Sequence, residues 1–299
     1  MGYRHTDNLY ANRTILNETE VYATEKIHGT SAHIYIEPFT AGNVRFFSGG
    51  VQHEDFVGLF DATELHRKCT WLANNLKINP YAVVTVYGEA YGGKCQRMSD
   101  VYGPQLRFVA FEVKLTISGG EEVWLNVPEA HAVATGLGLE FVDYVRIPCT
   151  LSAIDEQRDR ESVQAIRNGM GPGKQREGIV LRPLVEKVDH RGNRIIAKHK
   201  SANFRETRSP RVIDESKLEL QENAQKIADE WVTENRLLNA LSHMSFTRDI
   251  KDTGKVIQYI LEDVRREAAD EIVQSKEVDA AIKRAAAMIY KRLCNEVQC

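Results

Sequence analysis

Lys26 closes the segment Glu25-Lys26-Ile27-His28-Gly29-Thr30, where a β-branched and aromatic run gives way to a turn. A lysine amine at such a place is a nucleophile only when neutral. A free lysine, with a pKa of about 10.4, is almost wholly protonated at neutral pH. Each unit of depression requires about 1.4 kcal/mol of destabilisation of the ammonium, and nearby positive charge can supply it. The chain carries that charge in Ile195-Ile196-Ala197-Lys198-His199-Lys200, which sets two lysines on one face of a strand because side chains alternate with period two. Carboxylates stand at Glu89 in Val86-Tyr87-Gly88-Glu89, at Glu112 after Phe108-Val109-Ala110-Phe111, and at Glu177 in Arg176-Glu177-Gly178-Ile179-Val180-Leu181-Arg182-Pro183. Lys-x-x-Gly by itself decides little. About one is expected by chance in a chain this long, and Lys251-Asp252-Thr253-Gly254 is a second one. The ordered company of Lys26 separates the two.

These residues need strands to position them, and the first two thirds of the chain supply that texture. Short β-branched or aromatic runs occur at 21–27, 33–36, 44–47, 82–87, 106–115, 122–125, 177–181 and 194–199, with a hairpin-like turn at Ser118-Gly119-Gly120. Helices are expected near 56–76, 128–136 and 153–167. After residue 211 the pattern changes. Leu220, Ala224, Ile227, Ala228 and Trp231 fall on one helical face. So do Val256, Ile257, Ile260, Leu261 and Val264, and again Val278, Ile282, Ala285, Ile289 and Leu293. The expected architecture is α+β: an antiparallel-sheet domain over residues 1–208, followed by an all-helical domain over 209–299.

Bulk composition excludes several classes. Of 299 residues 42% are hydrophobic and 27% charged, with a formal net charge of −3, ordinary values for a globular protein. No apolar run is long enough to span a bilayer, and no secretory leader is evident. Met1-Gly2-Tyr3-Arg4-His5-Thr6 fits the loose myristoylation pattern, but no polybasic signal follows. The five cysteines are scattered without zinc spacing and read as free thiols in a reducing compartment. A cytoplasmic, monomeric protein with no membrane association is expected. Gly169-Met170-Gly171-Pro172-Gly173-Lys174 lacks the Gly-Lys-Ser/Thr ending and the preceding hydrophobic strand of a phosphate loop, and reads as a connector.

Taken together and in order, E-K-x-H-G-T, E-G-x-V-L-[KR]-P and K-x-K-x-x-x-F resemble the nucleotidyltransferase motifs of the RNA ligase 2 family, the phage RNA ligase 2 and kinetoplastid RNA-editing ligase type. The resemblance runs from about residue 20 to 205 and continues more weakly through 218–269. It implies an ATP-grasp-like ligase domain that takes ATP with Mg²⁺ or Mn²⁺. Lys26 then attacks ATP to give lysyl-AMP, AMP passes to an RNA 5′-phosphate, and a 3′-hydroxyl displaces it. The RNA would be a single strand, a nicked duplex or an RNA/DNA hybrid. By the same resemblance Lys198 and Lys200 would hold the triphosphate, and the backbone of Glu25, Ile27, His28 and Gly29 would read the adenine edge. Phe111 would stack on the base, with Phe108 as the alternative in another register. Glu89 would hold the ribose, Arg182 would face the phosphates, and Glu177 with Glu112 would organise the metal.

The chain departs from the family in two places. Ser31 follows Thr30 where the family has Asn, and Ser48 stands where a phosphate-contacting Arg is usual; Arg45, three residues upstream, is expected on the opposite strand face. Between Arg191 and Arg211 there are seven Arg or Lys and one acid, so Arg205 and Arg208 are candidates for a nucleic-acid surface, with Arg236 in the helical domain. The competing readings are a DNA ligase or capping nucleotidyltransferase, which would carry a small β-barrel where this chain has helices, and a catalytically impaired nucleic-acid-binding relative. Lys26→Ala is expected to abolish covalent labelling by α-labelled ATP while Lys251→Ala retains it, read on a denaturing gel.

Overall fold

The computed structural model describes residues 3–4, 6–40, 42–75, 82–117, 120–189, 192–204, 215–244, 249–268, 272 and 274–295. Arg205, Arg208 and the turn at 118–119 lie outside them. The chain divides into two compact units, Met1–Arg211 and Val212–Cys299, three residues beyond the boundary expected from sequence.

The first unit is built on two antiparallel sheets. Its strands are β1 Glu20–Lys26, β2 Thr30–Ile36, β3 Val44–Ser48, β4 Val83–Gly92, β5 Leu106–Thr116, β6 Glu122–Trp124, β7 Tyr144–Pro148, β8 Gly178–Pro183 and β9 Ala197–Lys200. One sheet has the order β7-β1-β8-β9 and the other β3-β2-β4-β5-β6. Only Ile27, His28 and Gly29 connect β1 in the first to β2 in the second.

Alternation decides which side chains each sheet buries. On β2, Ala32, Ile34 and Ile36 turn to a core shared with Val84, Val86, Val109, Val113 and Phe56. The helices Ala62–Asn75 and Val127–Gly136 contribute Leu65, Cys69, Ala130, Val133 and Ala134 to that core. On β1, Val21 and Ala23 are buried, as are Ile179, Leu181 and Ala197 on the paired strands. The opposite faces of the two sheets meet one another, since Arg182 of β8 lies 3.5 Å from Glu112 of β5.

Two expected helices are each divided. The segment near 56–76 forms His53–Val57 and Ala62–Asn75, with Asp61 accepting the Glu64 N–H at 3.0 Å at the restart. The segment near 153–167 forms Leu151–Arg158 and Val163–Arg167, the second capped by Ser162, whose Oγ accepts from Ala165 N at 3.0 Å. In both cases a side-chain oxygen satisfies early helical N–H groups and fixes a new start.

The second unit consists, among the described residues, of helices with no strand. These are Glu215–Trp231, Glu234–Met244, Thr253–Glu267 and Lys276–Asn295. Ala224, Ala228, Leu237, Val256, Ile260, Val264, Ile282, Ala285 and Leu293 form its core. Lys251 sits in the single turn Ile250–Asp252, with no strand beside it to present it to a cleft. No helix among the described residues is long and apolar enough to cross a membrane.

Gly178 is one position where the fold requires glycine. Its φ of 154° lies in the region L side chains avoid, and an added Cβ would stand 2.2 Å from the His199 carbonyl oxygen. Gly178→Ala is expected to lower unfolding stability by about 2 kcal/mol, measurable by urea denaturation.

Candidate active site

Lys26 is the last residue of β1 and pairs with Gly178 of β8, which in turn pairs with Lys200 of β9. Paired residues in a sheet share a face, so the two lysines flank a position with no side chain. Glu177 fills the space between them. Its Oε2 accepts from Lys26 Nζ at 2.8 Å and its Oε1 lies 3.0 Å from Lys200 Nζ. His28 Nδ1 lies 3.4 Å from Oε2. The Glu177 side chain is 1% exposed, and burial opposes its ionisation most strongly. The His28 hydrogen bond and the Lys26 and Lys200 charges outweigh burial and lower the carboxyl to about 2. Lys198 stands on the same face two residues away, opposite Val180.

Glu89 approaches from the other sheet. Its Oε1 accepts the Gly29 N–H at 3.1 Å, which explains the glycine of Lys-x-x-Gly. A Cβ on Gly29 would meet the Ala90 carbonyl oxygen at 2.3 Å and Glu89 Cγ at 2.8 Å. Burial, with the Glu177 charge adding to it, raises the Glu89 carboxyl to about 7 against the opposing Lys26 charge. The cleft thus holds one ionised carboxylate between cations and one carboxyl that titrates near neutrality. Tyr102 Oη, which accepts the His28 N–H at 3.3 Å, and the Phe204 ring, 5.2 Å from the His28 ring, fix the turn. Phe204 is the aromatic that ends the K-x-K-x-x-x-F motif, whereas Tyr102 was not marked in the sequence and no local motif points to it.

The expected residues divide into those the fold gathers and those it separates. Lys26, His28, Gly29, Glu89, Glu177 and Lys200 come together, with Ile27 in the same turn. Glu25 shows its side chain to the opposite face, where it is 2% exposed. There it accepts from Ser162 Oγ at 2.6 Å, Val163 N at 3.0 Å and Gln164 N at 3.3 Å. It anchors the N-terminus of a short helix, and only its backbone adjoins Lys26.

Phe108 lies in the core, its ring 5.6 Å from those of Phe56 and Phe60. Phe111 sits at the irregularity in the β4–β5 register and shows the other face, 5.1 Å from the Tyr3 ring. Glu112 and Arg182 are displaced from their expected roles. Arg194 grips both Glu112 oxygens at 2.9 and 3.0 Å. Arg182 bonds Glu186 at 2.6 Å and the Leu125 carbonyl at 2.8 Å. Glu112 is held by arginines, so no carboxylate edge faces a metal, and Arg182 is saturated, so no guanidinium edge faces a phosphate.

Ser48 and Arg45 do fall on opposite faces, but it is Arg45 that shares the Glu89 face, through the pairs Tyr35↔Arg45 and Ser31↔Glu89. Ser48 turns away and donates to the Val51 carbonyl at 2.9 Å, which removes it as a nucleic-acid contact. Arg236 is held by Asp263 and by Glu267, the latter at 2.8 Å. Its charge is neutralised within the helical unit rather than presented to a phosphate backbone.

A divalent ion can be tested against this donor set. Glu177 is an ionised oxygen donor and fits a hard cation that keeps most of its water; Glu112 does not fit. Among the described residues no group of three or more His, Cys, Asp or Glu gathers to form a cage.

A lysine ringed by carboxylates and a second lysine, at the junction of two antiparallel sheets, defines a cleft suited to covalent nucleotidyl transfer. The chain belongs to the RNA ligase family, which it matches over residues 19–200. Solved structures of the Naegleria gruberi RNA ligase are among those that match this chain. A variant with ATP and manganese gives 14% identity and a TM-score of 0.46, covering 68% of this chain and 56% of the other. The form with pyrophosphate gives 14% and 0.46, over 68% and 57%. A variant with AMP and manganese gives 12% and 0.47 over the same shares. This chain therefore spans little more than half the length of those ligases. No curated protein matches it by sequence.

The two carboxyls drive stability in opposite directions with pH. Glu177, lowered from its ordinary 4.5 to about 2, contributes about 3 kcal/mol that is present above pH 4.5 and lost as pH falls toward 2. Glu89, raised from 4.5 to about 7, costs about 3 kcal/mol, incurred as pH rises from 4.5 to 7 because the unfolded chain loses its proton first. Chemical denaturation across pH is expected to show the stability advantage of wild type over Glu177→Gln shrinking below pH 4.5. Glu89→Gln is expected to gain on wild type up to pH 7 and then level off.

Proposed function

We propose that this protein is an ATP-dependent RNA ligase that joins 5′-phosphate and 3′-hydroxyl ends through a lysyl-AMP intermediate. The observation that carries the reading is the contact of Lys26 with Glu177, itself shared with Lys200, beside the buried Glu89. In the first step the neutral Lys26 Nζ forms a bond to the ATP α-phosphorus. The bond to the bridging oxygen breaks, pyrophosphate leaves with the electron pair, and the amine proton is released. An RNA 5′-phosphate oxygen then attacks the same phosphorus, and the P–N bond returns its electrons to Lys26. Last, the 3′-hydroxyl oxygen attacks the RNA phosphorus, AMP leaves, and a proton is released. All three are phosphoryl or nucleotidyl transfers governed by position and charge.

The chain's own groups fit these steps. Glu177 holds the Lys26 Nζ at 2.8 Å, so attack requires that contact to loosen as the triphosphate draws Lys198 and Lys200. Phe111 stacks on adenine and Glu89 holds the ribose. Glu177 would hold Mg²⁺ or Mn²⁺ through water, and the bound ion supplies charge neutralisation at the phosphates. Arg45, on the Glu89 face and largely exposed, replaces the absent arginine at position 48. The four described cysteines are free, which favours a reducing compartment such as the cytoplasm. Helices in the second unit, rather than a small barrel, favour an RNA ligase over a DNA ligase or capping enzyme.

Labelled ATP with Mg²⁺ is expected to mark wild type and not Glu177→Ala, and a panel of 5′-phosphorylated RNA, DNA and hybrid nicks to be sealed where RNA supplies the 3′-hydroxyl. Label from GTP alone would refute the reading.

A further inference from the structure

We infer that Phe47 and Arg45 on β3 form the seat for the terminal nucleotide of the 5′-phosphate strand, with the Phe47 ring stacking on its base. The inference rests on the ligase reading and names the part of the substrate that this edge of the sheet receives.

Register places the two residues. Phe47 pairs with His33 and Arg45 with Tyr35, while Ser31 pairs with Glu89 and His33 with Tyr87. All of them share the Glu89 face of the sheet. Phe47 lies two strands across from Glu89 and two residues along, a Cα separation of roughly 12 Å from strand geometry. The site and the platform are therefore continuous across one sheet face.

The side chains there are built as a platform. Phe47 is 43% exposed, yet its ring lies over His33 with centroids 4.8 Å apart and planes at 24°. The imidazole is backed in turn by Tyr87 at 5.3 Å. Stacking on His33 holds the phenyl ring in place while its other face remains open. Arg45, two residues away, rests over the Tyr35 ring at 5.2 Å, donates its Nε to Asn43 Oδ1 at 3.1 Å and lies 3.9 Å from Glu37, yet its side chain stays 68% exposed, so a nucleic-acid phosphate can compete for it. An open aromatic face beside an open guanidinium is how proteins hold unpaired bases and their phosphates, because every base has a π-face and every linkage a charge.

A second observation is independent of exposure. Ser31 Oγ and His33 Nδ1 are buried and have no hydrogen-bond partner among the described residues. Both lie on the strand between Glu89 and Phe47. Orphaned buried polar atoms are rare and costly, and these two mark a place where a polar ligand meets the sheet. The sugar and phosphate that connect a base on Phe47 to the adenylate at Lys26 pass over them.

The test separates the reaction steps. Enzyme already adenylylated on Lys26 is mixed with 5′-phosphorylated RNA under single-turnover conditions, and AMP transfer is timed for wild type, Phe47→Ala, Phe47→Leu and Phe47→Trp. Transfer is expected to slow roughly ten-fold in the Ala and Leu variants and to be retained in Trp, with self-adenylylation unchanged in all three. Leu keeps the apolar bulk, so its loss together with retention in Trp distinguishes stacking from packing. Unchanged transfer in Phe47→Ala would overturn the inference and leave the ligase reading intact. Slowing confined to the joining of pre-adenylylated RNA would move the base to the 3′-hydroxyl strand and overturn the assignment. Equal loss of self-adenylylation in all variants would also overturn it, as a folding defect. A wild type that takes no label at all would remove the ligase reading, and the platform with it.

Discussion

A carboxylate with almost no exposure to water stays ionised only if cations replace the solvent it has lost, and Glu177 collects them from strands on both sides. Lys26 arrives on β1 and Lys200 on β9, with His28 added from the turn. Remove the carboxylate and two lysines are left facing one another at the meeting point of three chain segments. The pairing of β1, β8 and β9 thus serves an electrostatic end as well as a hydrogen-bonding one. It also sets the lysine chemistry, because a cation held by an anion is poorly nucleophilic until another anion competes for the surrounding charge.

The second carboxyl in the cleft behaves differently because its surroundings differ. Glu89 receives a backbone N–H but no direct ion pair, and burial holds much of it protonated near neutrality. Two acids of one residue type, gathered around one lysine, are driven apart in proton affinity by what surrounds them. One stays an anion. The other can either give or take a hydrogen bond near neutral pH.

Much of this was legible in the chain, and the failures have physical causes. Lys26, Glu89, Glu177 and the lysines of β9 could be read because each lies in a short motif in or beside a strand. The Glu25 side chain could have been read too, since alternation alone sends it to the face opposite Lys26. Glu112 and Arg182 could not. Arg194, the partner of Glu112, lies 82 residues away, and the Leu125 carbonyl that Arg182 bonds lies 57 residues away, so nothing local marks either pairing. The breaks at Asp61 and Ser162 carried cap signals, which the apolar periodicity on either side masked. Phe47 went unnoticed because its meaning depends on which residue of β2 it faces, and register is a property of two strands rather than of either one.

The three-residue span between Lys26 and β2 has a mechanical consequence. Ile27, His28 and Gly29 carry the chain from one sheet to the other, and three extended residues reach about 10 Å at most. The turn is tied at Tyr102, and Gly29 is wedged against β4 too closely to admit a methyl group. Such a strap has no slack. Any widening of the gap between the sheets pulls directly on the residue beside Lys26, so the amine and the cleft opening move as one coordinate.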